Sequence, residues 1–319
     1  MCFRRAGSIL LSAAFSIWCP VFLHSQETEN RAAQAREIFQ QVRNLMGGDA
    51  ALNAIRSLSA AGTWRSALQE EGMTGEIKVD LMLPDKYMKT TTLSGKQIPR
   101  VTRIETVDGD EVWTDVKTTQ ETTFLGNGPI GGPPSGARGS RGRGGGEAPV
   151  PDIIADTDNP EYQKQIRADF SSLLTVLLLP DSASSSLEID SAVAWTANEA
   201  MFETLKIRGT NDLELHLMID KKTHRPVMLS YRGFMPGVSA NHPAHIHGHE
   251  EPPVLQEYGM VEMEISVSDY RTVSEKGIGT IWMPHRITKI ADGHTVEDVT
   301  IKTFKLNPDL KVKQFERKR

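Results

Sequence analysis

The sequence predicts an α+β protein that is mainly antiparallel β-sheet, with about eleven strands and few helices. Three observations carry this reading. After Ser57, apolar and polar residues alternate over long stretches, the period of a strand with one buried face. Turn-forming clusters separate the stretches, among them "LPDKY", "VDGDEVW", "GTNDLE", "DKKTHRP" and "ADGHT". One segment, "DNPEYQKQIRADFSSLLTVLLLP", drops the period of two and carries a helical stripe instead.

Residues 1–25 read as a secretory signal peptide. Arg4 and Arg5 form a basic start, an apolar run follows from Ala6 to Leu23, and "LHS" is a passable cleavage site. The run comes near the length of a membrane anchor, but Ser8, Ser12, Ser16 and Pro20 weaken it as one. Trp18 ahead of Cys19 argues against lipidation. The expected location is therefore the periplasm or the medium.

Both cysteines, Cys2 and Cys19, fall inside this segment. The remaining chain then has no disulfide, thiol nucleophile or cysteine metal ligand, and it must hold together by burial alone. Loss of Arg4 and Arg5 takes the net charge from −5 to −7. An acidic surface argues against nucleic acid and against anionic membrane as partners. No second long apolar span follows, so no further crossing is expected.

Residues 27–56 read as helix, with apolar positions Ile38, Val42, Leu45 and Met46. "MGGDAALNAI" suggests a stop, then Asp49 capping a short second helix. In "GEIKVDLML", Ile77, Val79, Leu81 and Leu83 share one face and Glu76, Lys78 and Asp80 the other. "DLELHLMID" does the same with Leu213, Leu215, Leu217 and Ile219, and "MVEMEISVSD" with Val261, Met263, Ile265 and Val267. The mid-chain helix begins at Asp158 or Asn159 as N-cap with Pro160 at its first position. Its stripe is Tyr162, Ile166, Phe170, Leu173, Leu174, Leu177 and Leu178, and Pro180 ends it. Such a stripe requires a large apolar surface, which a curved sheet supplies.

Two insertions interrupt the pattern, near 125–159 and 235–257. The first contains Gly126–Pro151, too rich in Gly and Pro for a packed core and read as a flexible loop. Its Arg138, Arg141 and Arg143 make a mild basic patch, more in keeping with a solvated linker than with an RNA-binding tract. The second holds "NHPAHIHGHEEPP". On an extended strand His245, His247 and His249 point to one side. With His242, and Glu250 or Glu251, they are a candidate site for zinc, copper or nickel. Pro236, Pro243, Pro252 and Pro253 make the stretch a loop, where metal binding carries an ordering cost. Histidines there also offer a response near pH 6.5.

The order of parts, "SLSAAGTW", "LPDKYMK", "ETVDGDEVWTD", "ELHLMIDKKTHRPVMLSYRG", "ISVSDYRTV", "IWMPHRITKIADG" and "TIKTFKLNPDLKVKQFERK", resembles the LolA-like superfamily of periplasmic lipoprotein carriers, especially its divergent lipoprotein-sorting members. The likeness spans most of residues 32–316. It implies a single domain over 26–319, an unclosed antiparallel half-barrel wrapped around helices, and a concave apolar interior that holds acyl chains. The expected activity is binding of a lipid, lipoprotein acyl chain or other hydrophobic ligand, without chemistry. Each buried methylene contributes about 0.8 kcal/mol, enough for reversible capture. Candidates for the lining are Trp64, Leu81, Tyr87, Trp113, Leu174, Leu177, Leu215, Leu217, Tyr231, Ile265 and Trp282. The plain alternative for each is ordinary core.

Catalytic signatures are missing from the sequence. There is no GxSxG, HExxH or Walker A, and "GARGSRGRGGG" follows no predicted strand. Asp269, Tyr270 and His285 lie in or beside strands without a motif around them. The rival readings are a metal-binding or sensing protein using the histidine loop, and a scaffold whose loops dock an envelope partner.

Overall fold

The computed structural model describes residues 21–66, 74–93, 100–119, 159–181, 187–197, 200–209, 213–235 and 259–317. Twelve strands form one antiparallel sheet. In chain order they are β1 (Ser57–Ser66), β2 (Thr74–Met82), β3 (Lys86–Leu93), β4 (Arg100–Asp108), β5 (Glu111–Thr119), β6 (Glu188–Ala197), β7 (Ala200–Arg208), β8 (Glu214–Asp220), β9 (Arg225–Met235), β10 (Gly259–Glu275), β11 (Gly279–Ala291) and β12 (His294–Leu306). The sheet order is β5-β4-β3-β2-β1-β12-β11-β10-β9-β8-β7-β6, so two meanders join where β1 pairs with β12. Among the described residues β5 and β6 are its two ends, and the sheet does not close between them. The strand count exceeds the sequence expectation by one. β6 and β7 pair as far as Ala197 and Ala200, and neither glycine nor proline stands between these in the sequence.

Among the described residues three α-helices accompany the sheet: α1 (Val21–Met46), α2 (Asp49–Asn53) and α3 (Pro160–Leu178). α1 buries Ala35, Ile38, Phe39, Val42 and Met46, one stripe at helical spacing, mainly against β6. Its start at Val21 places 21–25 of the predicted export segment in the helix, while 1–20 lie outside the described residues. Gly47 follows at φ +146°, and a Cβ there would come within 2.6 Å of the Ile281 side chain. The N-cap of α2 is Gly48, and Asp49, the expected cap, is its first helical residue, so the helix starts one residue earlier than the sequence suggested. The Asp49 carboxylate instead accepts from Arg43 Nε at 2.6 Å and from Gln40 at 2.6 Å. Those bonds hold its pKa below the usual carboxylate range, the Arg43 bond foremost.

α3 forms as its sequence predicts. Asn159 Oδ1 caps the Glu161 N–H at 2.9 Å, and Pro160 occupies the first position, where its missing N–H costs nothing. At the other end Leu179 adopts φ +45° ahead of Pro180, and Arg43 donates to its carbonyl. The helix touches β4 and β5 on one side and β9 on the other. β4 and β9 are seven steps apart in the sheet, about 34 Å if it were flat. A helix about 10–12 Å across can touch both only if the sheet curls into a trough. α3 lies along that trough.

Alternation assigns most of the core. Ile77, Val79, Leu81, Leu215, Leu217, Ile219, Met263, Ile265 and Val267 are all buried. One polar-face assignment fails. Asp80 is 1% exposed, not solvated. It accepts from Ser59 Oγ at 2.6 Å on the neighbouring strand and from Lys78 Nζ at 2.7 Å, so its burial is compensated.

Candidate ligand-binding site

Between α3 and the trough lies a cavity of about 70 Å³, opening into a recess whose whole void, mouth included, is about 620 Å³. Ala60 of β1, Ile77 and Val79 of β2, Tyr87 of β3, Ile265 of β10, Ile287 of β11, and Val299, Ile301 and Phe304 of β12 form its sheet wall. Leu173 and Leu177 of α3 form the roof. Tyr87 stacks on Phe170 of α3, with ring centroids 5.5 Å apart, beside it. Four charged residues complete the lining: Lys89, Asp169, Lys289 and Glu297.

These four belong to a part-buried ionic network. Lys89 Nζ donates to both Glu297 oxygens at 3.0 and 3.1 Å and stands 3.7 Å from Glu105. Arg103 pairs with Glu105 at 2.9 Å, and Tyr162 of α3 donates to the same carboxylate. Farther along α3, Asp169 accepts from Lys289 at 2.7 and 2.8 Å, from Tyr231 Oη at 2.5 Å and from Gln165 Nε2 at 2.7 Å. Gln165 Oε1 in turn accepts from the Phe234 N–H at 2.7 Å. That last bond needs Gly233, where a Cβ would lie 2.5 Å from Gln165 Oε1 and 2.8 Å from the Met263 side chain.

The electrostatics are those of fixed charges. Burial pushes Glu297 up, but Lys89 and Lys289 outweigh it and bring its pKa from 4.5 down to about 2. Burial likewise pulls Lys89 down, and Glu297 and Glu105 more than reverse this, leaving the ammonium above its ordinary value. Burial raises the Tyr87 and Tyr231 phenols well above their usual range, with nearby carboxylates, Glu105 at Tyr87 and Asp169 at Tyr231, adding to it. These directions keep Lys89 and Glu297 charged and both phenols neutral at neutral pH.

The sequence-predicted lining residues scatter. Tyr87, Leu177 and Ile265 reach the cavity, and Tyr231 sits beside it in the network. Trp64 lines a side chamber of about 40 Å³ that shares Lys89 and Glu297 with the cavity. Leu174 faces a separate hollow of about 390 Å³ between α2, α3 and the β2–β3 turn. That hollow has mixed walls, including Arg43, Asn53, Arg56 and Asp181, and Asp181 adjoins the undescribed segment 182–186. Leu81, Leu215 and Leu217 are fully buried and face none of these spaces. Trp113 donates to the Phe315 carbonyl at 3.0 Å. Trp282 alternates with the fully buried Ile281 and Met283, so it faces away from the trough, under the Arg225 guanidinium at 4.1 Å. His242, His245, His247 and His249 lie outside the described residues, as do Gly126–Pro151. Among the described residues no cluster of three or more His, Cys, Asp or Glu could hold a metal, and no helix is long and apolar enough to cross a membrane.

Sequence reasoning missed the network, although its signal was present. Lys89 is in phase with Tyr87 and Leu93, Arg103 and Glu105 with Val101 and Val107, Lys289 with Ile287 and Ala291, and Glu297 with Val299 and Ile301. Asp169 falls within the α3 stripe. A charge in step with an apolar face marks a buried polar group.

No family model matches the chain, and no curated protein matches it. Solved structures do. A domain described as an outer membrane lipoprotein-sorting protein domain from Vibrio parahaemolyticus is 10% identical, with a TM-score of 0.41, over 90% of this chain and 97% of that one. A LolA superfamily protein from Nitrosomonas europaea is 10% identical, with a TM-score of 0.43, over 90% and 98%. A DUF1329 family protein from Desulfovibrio piger is 7% identical, with a TM-score of 0.43, over 90% and 97%. The fold itself is read from this chain's own sheet, an unclosed antiparallel trough of twelve strands among the described residues, with α3 packed inside it. The functional reading below rests on this chain's own residues.

Proposed function

We propose that this protein is an exported, non-enzymatic carrier that holds the hydrocarbon part of an amphiphile between α3 and the concave face of its sheet. The observation that supports this is the cavity wall, apolar at every lining position except Lys89, Asp169, Lys289 and Glu297. A hydrocarbon segment entering the cavity replaces water there and gains about 0.8 kcal/mol per methylene. A longer chain displaces the roof, because the Leu173 and Leu177 side chains and hydrocarbon are interchangeable against the same wall. The ionic network surrounds the apolar floor and gives a bound amphiphile polar groups to meet at one end.

Filling the cavity tests the reading. Ile287→Trp places an indole where the half-buried Ile287 lines the space. Calorimetric titration of the wild type with a lauroyl amphiphile is expected to give saturable binding, and the variant at least tenfold weaker binding with unchanged thermal stability. A wild type that takes up no amphiphile of any chain length, and copurifies with none, ends the carrier reading.

A further inference from the structure

Residues 307–317 follow β12 and are tied to the sheet at two places. The first is β1. Asn307 Oδ1 accepts from the Arg56 and Ser57 N–H groups at 2.6 and 3.1 Å, and its Nδ2 donates to the Ala54 carbonyl at 2.9 Å. Ser57 Oγ donates to the Pro308 carbonyl at 2.9 Å. The second is β5. Phe315 is fully buried, yet it stands apart from the cluster that fills the trough. Its carbonyl accepts from Trp113 Nε1 at 3.0 Å. Nearby, Asp108, with Asp85 and Glu316 adding to it, holds the Lys86 ammonium above its ordinary range.

Strand register shows what lies between these ties. Ser59 of β1, Asp80 of β2, Met88 of β3, Thr106 of β4 and Trp113 of β5 are partners in one row across the sheet. Ala60, Val79, Tyr87 and Lys89 line the cavity, and each stands one position from a member of this row. The row therefore faces outward, away from α3. Side chains on an outer face ordinarily meet water, but Ser59, Asp80 and Thr106 are 8%, 1% and 0% exposed. A segment tied at Ser57 and at Trp113 crosses this row. The same three strands, β1–β3, thus carry the cavity on one face and the covered row on the other. β5 ends the sheet among the described residues, so no further strand holds β3–β5 in place from that side. A tie from β1 to β5 supplies what the missing neighbour does not.

We infer that segment 307–315 is a strap that holds the cavity wall in position from behind, with Phe315 as its latch. The inference rests on the carrier reading above and adds the element that keeps the site formed. Calorimetric titration of the full chain tests it, with a 1-monoacylglycerol of the chain length that the wild type binds best. Phe315→Ala is expected to bind this probe about tenfold more weakly, as a wall competent about a tenth of the time would. Leu217→Ala, which loses stability at a site away from the strap, is the control and should keep wild-type affinity. Backbone hydrogen exchange gives a second readout. In Phe315→Ala it should quicken in β2–β4 and stay unchanged in β8 and β9. Unchanged affinity in Phe315→Ala overturns the inference and leaves the carrier reading standing. So does a loss of affinity that Leu217→Ala shares, or exchange that quickens in every strand alike, since Phe315 is then ordinary core. A wild type that binds no chain length ends the carrier reading and the inference together. If Phe315→Ala does not fold, Trp113→Phe keeps an aromatic side chain on β5 and removes the bond to the Phe315 carbonyl. It should weaken binding about fivefold, the scale of one hydrogen bond. Full affinity in that variant overturns the inference.

Discussion

The two ends of the trough solve the same burial problem in opposite ways. Under β6–β9, Leu205, Ile207, Leu215, Leu217, Ile219 and Leu229 are at most 1% exposed, and the space found beside Ile207 among the described residues is only about 10 Å³. Around β1–β3, β11 and β12 the concave face keeps a cavity, and its apolar wall is interrupted by Lys89, Glu297 and Lys289. Close packing maximises stability and admits no guest. A wall with a void and a compensated ionic network gives up some stability and gains a place for one. The difference teaches which end to associate with binding, because substitutions at the packed end should act on stability alone.

The largest effect is expected from breaking the network. Lys89→Met takes the direct partner from the part-buried carboxylate of Glu297, while Glu105 keeps Arg103 and Tyr162, and should cost about 3–5 kcal/mol in denaturant unfolding. The double change Lys89→Met/Glu297→Leu should recover part of that loss, since it removes the orphaned charge as well. A double variant no more stable than the single one would mean that the pair is not the coupled unit the geometry describes.

Next in size is the packed end. Leu217→Ala opens a cavity in a site with no solvent exposure and should cost about 2–5 kcal/mol. Amphiphile affinity should not change in this variant. If affinity falls as well, the contrast between the two ends is wrong.

Acid sharpens the same contrast. Glu297 titrates lower in the folded state, at about 2, than its ordinary 4.5. A depressed carboxylate contributes stability that is complete above its unfolded pKa and is lost as the pH falls through the folded one. Urea midpoints should therefore decline between about pH 5 and pH 2, with this residue responsible for at most about 3 kcal/mol. Glu297→Gln should flatten that part of the profile, while Leu217→Ala should leave its shape alone.

The smallest effect concerns the roof. Asn159→Ala removes the cap of α3 and should cost about 1 kcal/mol by the same unfolding measurement. It should also raise hydrogen exchange in the first turn of α3 and leave α1 unchanged.

Much of this architecture was legible from the chain alone. The period of two located the strands, because a sheet with one buried face leaves that imprint on every strand independently. Asn159, Pro160 and Pro180 bracketed α3, because capping and proline geometry are local. Asp80 and Asp49 were misread for a different reason. Each carboxylate has a partner outside its own element, Ser59 for Asp80 and Arg43 for Asp49, which packing sets and the local pattern does not reveal.

The sequence by itself determined the alternation, the helix stripes and the turns, since each depends on residues a few positions apart. Only the tertiary structure decided the site. Lys89 meets Glu297 across 208 residues of chain, and Asp169 meets Lys289 across 120. β3 and β12 are three steps apart, about 14 Å on a flat sheet, so the first pair is drawn together by the curl of the trough around α3. A lysine in a strand ordinarily faces water. The curl turned these inward, onto the wall of the cavity.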